Sequence, residues 1–209
     1  MRWIVALLLA ALPAYADGER AGEFDYYVLA LSWSPSYCAL EGDARGDDQC
    51  HPRHDYGFTL HGLWPQYEQG WPSNCRTQER NPSRADTAAM ADIMGSAGLA
   101  WYQWKKHGRC SGLSSDDYFA AARRAYEQVN PPDVFAPLDR DVKLPASVVE
   151  EAFVEANAGL EASMITIICR AGRIREARIC LTRDLNFRAC GEDVARDCRM
   201  PDALMEAVR

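Results

Sequence analysis

Two short segments of the chain concentrate side chains that can move protons and hold negative charge. Residues 57–66 read GFTLHGLWPQ, and residues 101–110 read WYQWKKHGRC. A histidine can act as a general acid or base near neutral pH, and a lysine can stabilise a developing anion. His61, Lys106 and His107 are therefore the first candidates for a catalytic site that acts on an anionic substrate.

The second segment favours a helix over residues 99–107 that Gly108 ends in the left-handed conformation. At about 100° per residue, one face of this helix carries four side chains suited to phosphate chemistry, while Trp101 and Trp104 point away and are expected to pack. The four are Tyr102, Gln103, Lys106 and His107. A simpler interpretation is a solvated helix end, because Lys and His in a last turn also complement the helix dipole.

The first segment favours a strand over residues 57–62. In an alternating strand Phe58 and Leu60 face the core, so Thr59 and His61 share the opposite face. A lone histidine in such a strand is more often a hydrogen-bonded structural residue. His61 therefore gains weight as a catalytic candidate only in combination with the second segment.

The residues that follow His61 are suited to a binding surface. Gly62 permits the close approach of another group, because glycine has no side chain. Trp64 followed by Pro65 suits a rigid aromatic platform on which a nucleobase can stack. The segment therefore combines a proton-handling side chain with a stacking surface.

The two segments together resemble the active-site segments of the ribonuclease T2 family, the secreted, metal-independent acid endoribonucleases. FTLHGLWP and WKKHGRC carry the resemblance, supported by the early strand ending YVLALSWSPSYC and by a late pair of cysteine-bearing strands. The resemblance spans most of the chain after residue 16. It implies cleavage of single-stranded RNA through the 2′-hydroxyl, giving 2′,3′-cyclic phosphate and then 3′-phosphate ends.

The resemblance also implies a role for each candidate residue. His107 would take the proton of the 2′-hydroxyl and His61 would protonate the departing 5′-oxygen, although the two roles could be exchanged. Lys106 would stabilise the phosphorane, and Trp64 would stack a base. Gln66 stands where some relatives carry an aspartate, so it is a candidate base reader whose preference cannot be transferred. Neither a metal nor another cofactor is expected, because the nucleophile belongs to the substrate.

Two positions depart from the family pattern, since Tyr102 and Gln103 stand where many relatives carry His-Glu. A phenol can still donate a hydrogen bond to a phosphoryl oxygen, whereas an amide cannot exchange a proton as a carboxyl group can. We favour an active enzyme in which Gln103 orients neighbours and binds phosphate. The alternative is a weakened enzyme that persists as an exported RNA-binding or inhibitor-binding protein.

Two other patterns suggest different chemistry. His51 and His54 lie three residues apart and, with His61, could form the metal cluster of a metal-dependent phosphodiesterase, but we prefer a polar loop beside a disulfide. Six arginines on or near the late strands could follow an RNA backbone, although alternating strands also expose charges on their wet face. They are Arg170, Arg173, Arg175, Arg178, Arg183 and Arg188.

These segments need a scaffold, and the sequence predicts a single α+β domain with a central, mainly antiparallel sheet and flanking helices. Aromatic and branched residues predict strands at 24–35 and 57–62, and an antiparallel pair at 163–169 and 173–181. Helices are predicted at 85–95, 118–129 and 145–159. A capping box starting at Ser114 precedes the second of these helices.

The first residues carry a targeting signal. Residues 1–16 combine a basic start, a short apolar run and a small-residue cleavage pattern, as in a secretory signal peptide. Residues 17–209 are then a single ribonuclease T2-like catalytic domain. The apolar run is too short to span a bilayer. We expect a secreted or periplasmic monomer without a membrane partner; the sequence identifies no protein inhibitor.

Charge and cysteine content set two further limits. The formal net charge of −7 repels a polyanion, so RNA must be held by a local cationic site. Eight cysteines in an exported chain predict a framework of disulfides that staples the domain, although the residues alone leave most of the pairing open. Family resemblance and nesting imply the pairs Cys38–Cys50, Cys75–Cys110, Cys169–Cys198 and Cys180–Cys190.

Overall fold

The computed structural model describes residues 19–136 and 138–209, so the signal peptide expected at 1–16 lies outside the described residues. The strands are β1 Tyr26–Trp33, β2 Phe58–Gln66, β3 Val142–Leu144, β4 Ile165–Arg170, β5 Arg173–Leu181 and β6 Ala203–Met205. The helices are α1 Ser34–Tyr37, α2 Asp43–Arg45, α3 Arg84–Ala88, α4 Ala91–Met94, α5 Ala97–Lys106, α6 Ser115–Glu127 and α7 Ala146–Ala156.

One sheet organises these elements. β2, β1 and β5 lie side by side and antiparallel, and β4 pairs antiparallel with β5. β6 joins β5 in parallel and β3 in antiparallel orientation. The sheet is therefore mainly antiparallel, and the predicted α+β class is confirmed, as is the predicted pairing of the two late strands.

The sheet is buried on both faces, which explains why β1 is apolar almost throughout. Leu29 and Leu31 lie in the main core together with the helices. The alternate residues Val28 and Ala30 lie in a smaller cluster on the opposite face, where they meet Trp64. The polar side chains of the candidate site collect on this second face.

The helices cover the main-core face. α6 begins at Ser115 rather than at 118, but the predicted cap at Ser114 is confirmed, because its side chain accepts a hydrogen bond from the backbone N–H of Asp117. The single helix predicted at 85–95 is wrong, since α3 and α4 are separate. The break lies at Ala89 and Met90, and both Met90 and Met94 are buried in the core.

The four implied disulfides are all present: Cys38–Cys50, Cys75–Cys110, Cys169–Cys198 and Cys180–Cys190. Cys75–Cys110 joins the loop after β2 to the turn after α5 across 35 residues. Closing a loop of this size stabilises the fold by about 3 to 4 kcal/mol in the chain-entropy model. In the part of the chain that the structure describes, no helix combines the length and apolar character needed to cross a membrane.

Candidate active site

His61 lies in a bulge of β2. Leu60 and Gly62 pair with consecutive residues of β1, so His61 is the extra residue between two ladder pairs. A bulge redirects the side chains that follow it. Strict alternation would place Trp64 on the core face with Leu60, whereas the bulge brings Trp64 and Gln66 to the face of the sheet that carries the site.

Glu176 of β5 is the partner of His61. Its Oε1 lies 2.5 Å from Nδ1 of His61, and its Oε2 accepts a hydrogen bond of 2.7 Å from Nε of Arg178. Glu176 is only 3% exposed. Burial opposes the charged carboxylate, but the hydrogen bond and charge of His61 and the charge of Arg178 outweigh it, so the pKa of Glu176 is lowered. The buried, charged carboxylate thus fixes the orientation of the imidazole ring.

His107 has different surroundings. Its ring is 6% exposed and stacks on the indole of Trp64, with 5.2 Å between the ring centroids. Burial, followed by the positive charges of Lys106 and His61, lowers the pKa of His107 to about 3. Nδ1 is buried without a hydrogen-bond partner among the described residues. His107 is therefore held in its neutral form.

Trp64 lies between the two histidines and is held by Gln103. The His61 ring meets the indole edge-on at 5.1 Å, and the indole Nε1 donates a hydrogen bond of 2.7 Å to Oε1 of Gln103. An indole N–H is only a donor, so the amide oxygen must face it and the amide nitrogen remains to donate elsewhere. A Cβ at Gly62 would lie 2.4 Å from both bonded atoms, which explains the glycine at this position.

The buried stripe of α5 differs from the predicted one. Ala100, Gln103 and Trp104 are buried in the helix, and His107 continues the stripe one turn later. Trp101 is 38% exposed, so the expectation that it packs is wrong. The four residues predicted to share a face, Tyr102, Gln103, Lys106 and His107, nevertheless all line one cavity, although Gln103 and His107 also belong to the buried stripe.

Gly108 does not take the predicted left-handed conformation. The backbone continues into a 3-10 turn at Gly108–Ser111, and the left-handed residue is Gly112, with φ of 75°. Gly108 is required for space instead. A Cβ there would lie 2.7 Å from ring atoms of both Trp104 and Tyr118.

Tyr102 and Lys106 stand at the open side of the site. Tyr102 is 53% exposed, and Nζ of Lys106 lies 5.8 Å from the centroid of its ring. Both side chains line a cavity of about 350 Å³ with His61 and His107. Lys105 is exposed and does not line this cavity. Lys106, the phenol of Tyr102 and two histidines therefore converge on a space that can hold a phosphate, and Arg178, which is paired with Glu176, also lines it.

The same cavity contains residues that the sequence did not single out. Trp71 is 55% exposed at its wall, and Asp193 lies nearby, with Oδ2 accepting from the backbone N–H of Gly70. Gln66, which the sequence did single out as a candidate base reader, lines the cavity too; it is 5% exposed, and its Oε1 has no hydrogen-bond partner among the described residues. A stacking ring beside an unsatisfied amide suits the recognition of a planar ligand with polar edges.

The proposed metal cluster of histidines does not form. His54 stacks on Tyr56 at 4.8 Å, and Nδ1 of His51 accepts from the backbone N–H of Arg53, whereas His61 is bound to Glu176. Within the described ranges, the single group of potential ligands is Cys38, Asp43 and Cys50, and both thiols form a disulfide.

Comparison with known proteins places this geometry in a family. The profile of the ribonuclease T2 family matches residues 24–190. The chain belongs to the ribonuclease T2 family. A ribonuclease from Aeromonas hydrophila is 35% identical over 223 residues, covering 100% of both chains. The membership makes the protein an RNA-cleaving endoribonuclease.

Solved structures agree on the ribonuclease T2 fold. An RNase-related protein from Calystegia sepium aligns with a TM-score of 0.67 at 20% identity, covering 89% of this chain and 97% of the other. RNase NT in complex with 5′-AMP aligns with a TM-score of 0.66 at 23% identity, covering 88% and 98%. At these identities the structural likeness shows the fold alone.

Proposed function

We propose that the protein cleaves single-stranded RNA by metal-independent transphosphorylation, with the 2′-hydroxyl of the substrate as nucleophile. This reaction needs one group to take the hydroxyl proton and another to protonate the departing 5′-oxygen. Two histidines that line one cavity are suited to these transfers. The products are a 2′,3′-cyclic phosphate and then a 3′-phosphate.

The opposite surroundings of the two histidines carry the proposal. The buried, charged carboxylate of Glu176 holds Nδ1 of His61, which leaves the other ring nitrogen to donate a proton to the substrate. Burial and Lys106 favour the neutral form of His107, which can accept one. Surroundings that differ in this way suit the two histidines to different roles in proton transfer. His107 is therefore the base and His61 the acid.

Substrate binding would make His107 a stronger general base. A phosphodiester anion between Lys106 and His61 offsets the two positive charges that lower the pKa of His107. RNA itself then makes His107 a better proton acceptor. Lys106 stays in place to stabilise the phosphorane, whose negative charge grows as the reaction proceeds.

The remaining candidate residues position these catalytic groups and the nucleobase of the substrate. Tyr102 and the free amide nitrogen of Gln103 donate to phosphoryl oxygens. Trp64 keeps its predicted contact with a base, although His107 covers one side of the indole and Arg178 lies 5.2 Å from its centre. Trp71 offers a more open ring, and Gln66 can read a base edge with its amide.

We also propose that the protein acts after export, as a monomer. The four disulfides fit an oxidising compartment, and residues 1–16 would be removed as a signal peptide. Single-stranded RNA would be its partner at the site, because unpaired bases can be splayed into a cavity and stacked.

The test is cleavage of single-stranded RNA by the purified protein in EDTA, with detection of cyclic-phosphate ends. His61→Ala and His107→Ala should each lower the rate at least about a hundredfold. A loss of less than tenfold in either variant contradicts the mechanism. RNA binding without turnover would favour the binding-protein alternative, and dependence on an added metal would favour a metal-dependent phosphodiesterase.

A further inference from the structure

The arginines of the late strands differ in their partners. Four of them form ion pairs with glutamates: Arg170 with Glu41, Arg173 with Glu206, Arg178 with Glu176 and Arg188 with Glu68. Arg183 lies over the ring of Phe24, 4.3 Å from its centroid. Arg175 is different again, because within the described residues no carboxylate lies at ion-pair distance from it and its side chain lines a cavity.

Arg175 is held in place by two uncharged groups. Its guanidinium lies 5.3 Å from the centroid of the Tyr37 ring, and its Nη1 donates to Oγ of Ser32 at 3.3 Å. Stacking on an aromatic ring and one hydrogen bond orient the guanidinium while leaving other N–H groups unused. Arg175 is thus a preorganised cation whose charge is not neutralised by a neighbour.

The cavity beside Arg175 has a volume of about 650 Å³ and also contains two carboxylates, Glu41 and Asp47. Both are occupied. Glu41 forms ion pairs with Arg45 and Arg170, and Asp47 accepts a hydrogen bond from the hydroxyl of Tyr37. Burial and the hydrogen bond to Asp47 raise the pKa of Tyr37 to about 12, so this hydroxyl keeps its proton.

The residues that the two cavities share indicate which part of a bound RNA the larger cavity would hold. His61 and Tyr102 line both cavities, whereas Lys106 and His107 line only the smaller one. On the proposed function, His61 protonates the 5′-oxygen of the departing nucleotide. The departing nucleotide therefore lies on the His61 side, in the larger cavity.

We propose that Arg175 binds the next phosphate of the RNA, on the 3′ side of the departing nucleotide. This subsite rests on the proposed direction of cleavage at His61. A guanidinium is weakly hydrated and matches two phosphate oxygens at once, so it suits a phosphate that must be held without being cleaved. The protein carries a net charge of −7 and therefore repels RNA over most of its surface. A single cation at this position would attract longer RNA locally, along the path that the bound RNA must follow.

The test uses ligands that cannot be cleaved, so its outcome does not depend on turnover. Two 2′-deoxy dinucleotides of the same sequence are compared by calorimetry at low salt, one with and one without a 3′-terminal phosphate. The wild type should bind the phosphorylated ligand about tenfold more tightly. Arg175→Ala should lose this difference while binding the unphosphorylated ligand as before.

Two control variants make the result specific. Arg175→Lys should retain part of the advantage, because it keeps the charge but not the paired donors. Arg183→Ala should retain all of it, because Arg183 contacts Phe24 and lines neither cavity. An equal advantage in wild type and Arg175→Ala overturns the proposal, as does an equal loss for both ligands in Arg175→Ala. RNA cleavage tests the proposed function separately.

Discussion

Glu176→Gln removes a charge that RNA cannot reach and therefore tests the division of labour between the histidines. The substitution preserves the size of the side chain but replaces the carboxylate 2.5 Å from Nδ1 of His61 with a neutral amide. The amide also cannot accept from both His61 and Arg178, because one of its two atoms is a donor. His61 thus loses the charged partner that fixes Nδ1 of its ring.

The structure sets the size of the expected effect. A hydrogen bond to a buried charged group is worth about 1.5 to 3 kcal/mol, which corresponds to a roughly ten- to hundredfold loss of kcat. KM should change little, because Glu176 is 3% exposed and does not line either cavity.

The assay is steady-state cleavage of a defined oligoribonucleotide between pH 4 and 8, together with thermal unfolding of each variant. Glu176→Asp keeps the charge at a longer distance and should restore part of the lost kcat. Glu127→Gln is the control, since Glu127 lies 3.9 Å from Arg123 on α6, away from the site. A folded Glu176→Gln enzyme with wild-type kcat would refute the reasoning.

Three further predictions follow from the same geometry. Gln103→Glu should shift the pH dependence of cleavage more than its maximal rate, since the new carboxylate still accepts from Trp64 but places a negative charge beside His107; a large gain in maximal rate would contradict this. Gly62→Ala should lower kcat at least about tenfold, because the added Cβ separates Trp64 from Gln103, and a nucleotide-binding assay together with thermal unfolding should show a folded protein. The wild type should lose stability as pH falls below 6.5. His107 takes up a proton there in the unfolded chain, whereas burial lowers its pKa to about 3 in the folded protein. Between pH 6.5 and 4, the free energy of unfolding of His107→Gln, measured by urea titration, should fall by at least about 1 kcal/mol less than that of the wild type. An equal fall in the two proteins would argue against a buried neutral His107.

Local sequence features predicted much of this molecule. The strands at β1, β4 and β5 and the cap at Ser114 follow from patterns within a few residues. The same patterns could not set the face of α5, because Gln103 is polar yet fully packed against Trp64. Helical spacing indicates which residues share a face, whereas the partner strand decides which face is buried.

The features missed by sequence reasoning depend on the sheet. Glu176 is 115 residues from His61, and β5 is brought near β2 only because β1 lies between them. Strict alternation would also place Trp64 and His61 on opposite faces, and nothing local in FTLHGLWP predicts a bulge at His61. The bulge explains the spacing in FTLHGLWP, because one extra residue lets the histidine and the tryptophan three positions later share one face of the sheet.

The glutamine at position 103 can be understood from the charges around it. Its oxygen accepts the indole N–H of Trp64, which a carboxylate oxygen could also do. The difference lies in the second atom, which is a donor in the amide and a charged acceptor in glutamate. Gln103 is 1% exposed, so a carboxylate there would place an almost unscreened negative charge beside Lys106 and the bound phosphate. On the proposed function, in a molecule whose net charge is already −7, the amide would keep the phosphate site cationic and leave Glu176, on the far side of His61, as the carboxylate that supports proton transfer.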